Sequence, residues 1–127
     1  MTPETAQFLE KAHKLLLEAE AMLKIGLYDA AGRTAYLAGF HAAQSLISER
    51  TGRAFKTHKG VHTEFQRLTK SDTNFPSDLR GFLSRAYNLK AIADYQTGPA
   101  AEVSIEQATD ALMQAKRFLA HVALLLG

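Results

Sequence analysis

The chain has 127 residues with a formal net charge of +2, and hydrophobic residues make up 46% of it. This composition suits a single domain over residues 1–127 with one packed core, and it excludes a disordered chain. The absence of cysteine excludes disulfides, a thiol nucleophile and a thiolate metal site. No apolar run is long enough to span a membrane and the polar start is unlike a secretory signal, so we expect a cytoplasmic protein without membrane contact.

The first two segments predict an antiparallel pair of helices. A helix over residues 3–25 begins after a capping Thr2, carries apolar residues at helical spacing and ends at Gly26. The next helix, over residues 28–50, is rich in alanine and glycine. Because small residues recur on nearly every side of it, we expect it to be buried on more than one side at the centre of the fold. Its glycines indicate a close contact, which is internal packing, a symmetric dimer seam or both.

Two further helices are predicted in the middle of the chain. Thr57 caps a helix over residues 58–68, and the stretch 70–76 is the most loop-like part of the sequence. A helix is then expected to begin at Ser77 and to end near Tyr95, with its apolar residues on one face.

The last predicted helix follows a linker over residues 96–103. Ser104 and Gln107 form the capping-box pattern that opens it. The sequence shows no convincing strand and no internal repeat. We therefore predict an all-α, up-and-down bundle of about five helices.

Three blocks of this sequence resemble stand-alone HEPN-domain proteins (higher eukaryotes and prokaryotes nucleotide-binding). Residues 28–46, YDAAGRTAYLAGFHAAQSL, resemble the second helix of that family. Residues 56–62, KTHKGVH, resemble the opening of its third helix, and residues 86–95, AYNLKAIADY, resemble a later Leu-Arg-x-x-Ala-Asp-Tyr segment. The resemblance covers most of the chain and implies a helical bundle of HEPN type that forms a homodimer and acts on nucleotides or RNA.

The resemblance leaves three functions open. The first is a nucleotide- or RNA-binding helical module, with a nucleotidyltransferase as its protein partner. The second is a metal-independent endoribonuclease that acts as the toxin of a toxin–antitoxin pair. The third is a structural adaptor without catalysis. We expect no cofactor for any of the three.

One pair of residues fits the catalytic spacing of the HEPN ribonucleases, which share an arginine followed after four to six residues by a histidine. Arg53 and His58 have that spacing. A histidine serves as acid or base near neutral pH, and an arginine holds a phosphate through two hydrogen bonds. The family's motif usually lies later, where this chain has Lys90 and then Asp94 and Tyr95 with no histidine following. A coincidental spacing is therefore the alternative.

The start of the third predicted helix is a candidate ligand-binding site. Its free backbone N–H groups lie beside His58, Lys59 and His62, and such a helix end can bind phosphate. The alternative is a capped helix with solvated histidines. The two histidines are also four residues apart, which is half of a zinc site, but no glutamate or cysteine nearby completes it and we expect no metal.

Six more polar residues are candidates for ligand binding: Arg33, Tyr36, His41, Lys90, Asp94 and Tyr95. The first three either form a polar network within the fold or line a groove. Lys90 and Asp94 are one helical turn apart, a spacing that is also typical of a weak surface ion pair.

Overall fold

The computed structural model describes residues 1–98 and 102–127, and in these ranges the chain forms an all-helical bundle without strands. Its five α-helices are α1 (Pro3–Lys24), α2 (Tyr28–Thr51), α3 (His58–Thr69), α4 (Phe82–Tyr95) and α5 (Ile105–Leu126). The predicted fold class is confirmed. Part of the predicted linker over residues 96–103 lies outside the described residues. No helix in the described ranges is both long and apolar enough to cross a bilayer.

Helix α2 is the centre of the bundle and packs against each of the other four helices. Its buried residues lie on nearly every side of the helix, as its small side chains predict. Gly39 shows why glycine is needed, because a Cβ at this position would overlap the ring of Phe82 on α4. Gly32 faces Leu89 of the same helix α4. These two glycines therefore serve internal packing, and the dimer seam stays a prediction.

The predicted helix caps are confirmed. The Thr2 hydroxyl accepts a hydrogen bond from the backbone N–H of Thr5 at 3.1 Å, and the Thr57 hydroxyl accepts one from Gly60 at 3.0 Å. At the start of α5, Ser104 and Gln107 bond each other's backbone N–H groups. Each cap satisfies a donor that the helix cannot satisfy itself. The cap at Thr57 fixes where α3 begins, and with it the position of His58.

The predicted start of the fourth helix at Ser77 is wrong. Residues Ser77–Leu79 form a single 3-10 turn, and α4 begins only at Phe82 after Gly81. Glycine disfavours a continuous helix here. The Arg80 side chain also holds the turn in place, since it donates hydrogen bonds to the carbonyl oxygens of Thr69 and Asp72.

Four phenylalanines tie α3 to the rest of the bundle. The Phe65 ring on α3 lies 5.1 Å from the ring of Phe118 on α5 and 5.7 Å from that of Phe75 in the loop that follows α3. Phe82 of α4 completes the group at 5.1 Å from Phe118. All four side chains are buried, and aromatic contacts of this kind dominate core energetics. They hold α3 at a fixed distance from α4 and thereby shape the surface between the two helices.

Candidate functional site

A buried tyrosine connects the two histidines of α3. Tyr36 lies in the middle of α2 and is fully buried. Its hydroxyl oxygen is 2.7 Å from Nδ1 of His58 and 2.9 Å from Nε2 of His62. The two histidines are one helical turn apart on the same face of α3, so a single hydroxyl between them reaches both.

The shared hydroxyl determines how protons are arranged on the two rings. A hydroxyl carries one hydrogen, so the Tyr36 group can donate to only one of the two ring nitrogens. The other nitrogen must then carry a hydrogen and donate to the Tyr36 oxygen. When both imidazoles are neutral, the ring that accepts from Tyr36 carries an N–H at its other nitrogen. The ring that donates to Tyr36 carries a lone pair at its other nitrogen. The tautomers of His58 and His62 are therefore coupled.

An open pocket lies over this histidine pair. It has a volume of about 390 Å³ and is lined by His58, Lys59, His62, Thr63, Gln66, Ser84 and Tyr87. The ring of Tyr87 on α4 lies 5.1 Å from that of His58, 5.9 Å from that of His62 and 5.4 Å from that of Tyr36. We call Tyr36, His58, His62 and Tyr87 the imidazole cluster.

Burial keeps the imidazole cluster uncharged near neutral pH. It lowers the pKa of His58, to which the positive charge of Lys90 also contributes. Burial likewise lowers the pKa of His62, with a smaller effect from the charge on His58. The pKa of the Tyr36 hydroxyl is raised by burial and by the neighbouring Tyr87. A neutral pair of imidazoles can both donate and accept protons, which is the condition for acid–base chemistry.

Three charged residues form a second group beside the imidazole cluster, and we call Arg33, Lys90 and Asp94 the ion cluster. The carboxylate of Asp94 accepts hydrogen bonds from Lys90 at 2.6 Å and from Arg33 at 2.7 Å. The bond to Asp94 raises the pKa of Lys90, and the same bond lowers that of Asp94. The Lys90 ammonium lies 5.9 Å from the centre of the Tyr87 ring. The Lys90 side chain is only 9% exposed and that of Asp94 is 21% exposed, so Lys90 is the buried partner of a partly buried ion pair.

The sequence and the structure have counterparts in known proteins. A family model described as the HEPN domain matches residues 5–125. The chain belongs to the HEPN-domain family. A UPF0332 protein from Archaeoglobus fulgidus is 34% identical to this HEPN protein over 112 residues, which cover 87% of this chain and 86% of that one. The crystal structure of TT1696 from Thermus thermophilus is similar, with a TM-score of 0.80 and 25% identity, and the match covers 96% of this HEPN protein and 98% of that chain.

Within one chain of this HEPN protein, the Arg53 side chain lies beside Phe55. The Arg53 guanidinium lies over the ring of Phe55 at 4.8 Å, and its charge contributes to lowering the pKa of Glu64. Glu64 and His58 lie about 120° apart around α3, because six residues of a helix correspond to about one and two-thirds turns. His58 instead faces the pocket beside His62.

The remaining candidates lie at the edges of the pocket or away from it. Lys59 is exposed at the pocket rim. Tyr95 is 72% exposed at the end of α4 and lies 5.2 Å from the Lys90 ammonium. His41 is half-buried and its Nδ1 donates to the side-chain oxygen of Gln44 at 2.6 Å, because the amide nitrogen of Gln44 is used on the carbonyl of Phe55. His41 therefore has a partner on its own helix and lies outside the imidazole cluster.

Tyr87 is the member of the imidazole cluster that sequence reasoning did not select. Its position on the predicted apolar face of the fourth helix indicates packing, and its ring does pack against Tyr36. The signal that would have found it is its spacing of three residues from Lys90, which places both on one side of α4. In the part of the chain that the structure describes, no three metal-ligating side chains are brought together.

Proposed function

We propose that this HEPN protein binds the phosphate group of a nucleotide or an RNA at the imidazole cluster. The observation that supports the proposal is the shared Tyr36 hydroxyl, which holds two imidazoles side by side below an open pocket. Among the described residues, no aspartate or glutamate lines this pocket, whereas Lys59 does. The pocket therefore offers hydrogen-bond donors and positive charge to an anion, and no negative charge that would repel it.

A bound phosphate would change the protonation of the histidine pair. A nearby negative charge favours the protonated form of an imidazole and raises its pKa. The pair would then take up a proton, and both rings would direct an N–H at the phosphate. We therefore expect binding to become tighter as the pH is lowered towards the pKa of the pair.

The coupled tautomers also favour a second function, the metal-independent cleavage of RNA. The ring with the lone pair would remove the proton from a ribose 2′-hydroxyl, and the 2′-oxygen would form a bond to phosphorus. The bond from phosphorus to the 5′-oxygen would break, and the ring with the N–H would protonate that leaving oxygen. A proton passing through the Tyr36 hydroxyl would make both rings neutral again, with the lone pair and the N–H exchanged between them. His58 keeps the acid–base role predicted from the sequence, and His62 becomes its partner.

The test compares binding and cleavage in matched variants without metal ions. Binding of a mononucleotide and of a short RNA is measured by calorimetry for wild type, His62→Ala and His13→Ala. His13 is an exposed histidine of α1 and serves as the control. We expect His62→Ala to weaken binding about tenfold, since a charge-assisted hydrogen bond contributes about 1.5 kcal/mol or more, and His13→Ala to leave binding unchanged.

Equal affinities in wild type and His62→Ala would contradict the proposal, as would the absence of any binding. RNA cleavage that disappears in both His58→Ala and His62→Ala supports the second function, and cleavage that persists in both excludes it. If neither ligand binds, the adaptor function is favoured.

The homodimer and the nucleotidyltransferase partner stay predictions from the family resemblance. Sedimentation equilibrium of the purified protein tests the first, and the mass of a monomer at all concentrations would contradict it. Co-purification with a nucleotidyltransferase encoded beside the gene tests the second.

A further inference from the structure

A second pocket continues from the pocket over the imidazole cluster. It has a volume of about 700 Å³, and Thr63 and Gln66 line both pockets. The two pockets therefore form one groove, bordered by α3 on one side and by residues 80–87 on the other. We call it the α3 groove.

The α3 groove is lined by positive charge at both ends. Lys59 lies at the end near the histidines, and Arg67, Lys70 and Arg80 lie at the other end. Among the described residues, no aspartate or glutamate lines either part. Four cations on one groove are a concentration of positive charge in a chain whose net charge is only +2.

The four cations differ in how freely they can meet a ligand. Arg67 bonds Glu64, so part of its charge is compensated. Arg80 is held by two backbone carbonyl oxygens instead of a carboxylate, so its charge is fixed in place without being cancelled. Lys59 and Lys70 are exposed and can reach a ligand directly.

The length of the α3 groove exceeds that of one nucleotide. His58 and Lys70 are twelve residues apart, which corresponds to about 18 Å along a helix axis. A mononucleotide bound at the imidazole cluster would leave the cations at the far end unused. A chain of phosphates would meet positive charge at both ends of the groove, as it does in proteins that bind single strands through a basic groove with aromatic side chains.

We propose that the α3 groove binds a single-stranded polynucleotide, with one phosphate at the imidazole cluster and a later phosphate at Arg67 and Lys70. This inference rests on the proposed function and adds the class of ligand. Tyr87 lines the groove, and an aromatic ring can stack on an unpaired base, which suits a single strand better than a duplex. Both RNA and DNA carry the phosphate spacing that the groove recognises.

The test measures how affinity depends on ligand length and on salt. Labelled hexauridylate is titrated by fluorescence anisotropy without metal ions, and uridine monophosphate is measured by calorimetry. We expect the hexamer to bind at least about tenfold more tightly than the monophosphate, with a salt slope near −0.7 for each phosphate contacted. The slope is the change in log K with log salt concentration.

Lys70→Ala and Lys14→Ala form the matched pair of variants. Both lysines are exposed, but Lys14 lies on α1, outside the groove. Lys70→Ala is expected to weaken hexamer binding severalfold and to reduce the salt slope by about 0.7, without affecting the monophosphate. Lys14→Ala is expected to behave like wild type in both assays.

The outcomes separate this inference from the proposed function. If hexamer and monophosphate bind equally, or if Lys70→Ala matches Lys14→Ala, the groove does not hold a strand while the phosphate site stands. If neither ligand binds, the proposed function is wrong, and this inference is wrong with it. A hexadeoxynucleotide that binds as the RNA does supports recognition of any single strand, and weaker DNA binding supports a ribose contact. If polyglutamate or a duplex of equal charge displaces the hexamer as well as an unlabelled single strand does, the inference is overturned.

Discussion

The hydroxyl of Tyr36 lies 2.9 Å from Nε2 of His62 and joins the middle of α2 to the second turn of α3. Tyr36 is fully buried, whereas His62 lines the open pocket. A hydrogen bond that begins in the core therefore ends at the surface where we place the ligand. The orientation of the imidazole is determined by the packing of the bundle rather than by α3 alone.

Tyr36→Phe removes this hydroxyl and leaves the ring in place. The folded protein loses the hydrogen bonds to both histidines, so we expect the free energy of unfolding in urea to fall by about 1–2 kcal/mol. Phosphate binding should weaken as well, because the imidazoles lose their common partner. Tyr95→Phe is the control for stability, since Tyr95 is exposed, and it should unfold like wild type. Equal unfolding curves for Tyr36→Phe and wild type would contradict the role of the shared hydroxyl.

The stability of the protein should decrease when the pH falls below 6.5, the ordinary pKa of histidine. Burial lowers the pKa of His58 and His62 in the folded state, so the unfolded chain binds more protons in this window. The contribution of these two histidines to the free energy of unfolding is fully present above their pKa in the unfolded chain. It is lost as the pH falls towards their pKa in the folded protein. His41 contributes with the same sign, since burial lowers its pKa too.

Thermal unfolding from about pH 7.5 to about pH 5.5 measures this dependence. The double variant His58→Gln, His62→Gln should show a flatter profile than wild type over that range. His41→Gln, made separately, measures the remaining contribution. A double variant whose profile is as steep as that of wild type would show that the pKa values of His58 and His62 do not differ between the folded and the unfolded chain.

Gly39→Ala should destabilise the protein, and Gly32→Ala should not. A Cβ at Gly39 would overlap the Phe82 ring, whereas at Gly32 the nearest atom would lie at 3.4 Å, an ordinary contact. Overpacking a core costs about 1–3 kcal/mol, which exceeds the gain of about 1 kcal/mol from replacing glycine in a helix. At Gly32 no overpacking opposes the stability gained by replacing glycine in a helix. The two melting temperatures measured side by side should therefore move in opposite directions, and a stabilised Gly39→Ala would contradict the close contact.

Asp94→Asn should destabilise the protein by leaving Lys90 without its carboxylate. The Lys90 side chain is only 9% exposed, and hydrogen bonds to charged groups contribute about 1.5–3 kcal/mol. Asp78→Asn is the matched control, because the Asp78–Arg117 pair is exposed and such pairs contribute little. Adding Lys90→Met to Asp94→Asn should restore much of the lost stability, since no buried charge then lacks a partner. Chemical denaturation of the four proteins measures this, and equal losses for Asp94→Asn and Asp78→Asn would contradict it.

The sequence was sufficient to predict the fold, because its strongest signals act between residues that are close together in the chain. Helical spacing of apolar residues, the caps at Thr2, Thr57 and Ser104, and the small residues of α2 each act within a few residues, and the structure confirms them. The start of the fourth helix was predicted wrongly. There the turn at Ser77–Leu79 is held by Arg80 through carbonyl groups that lie eight and eleven residues away.

The residues of the site could be identified only from the tertiary structure, because they come from three different helices. The pair His58 and His62 is visible in the sequence as two histidines one turn apart, but their common partner Tyr36 lies more than twenty residues earlier. Arg53 is close to His58 in sequence, yet it lies against Phe55. Spacing along a helix determines which side chains share a face, whereas helix packing determines which faces meet, and hydrogen bonds form only where they do.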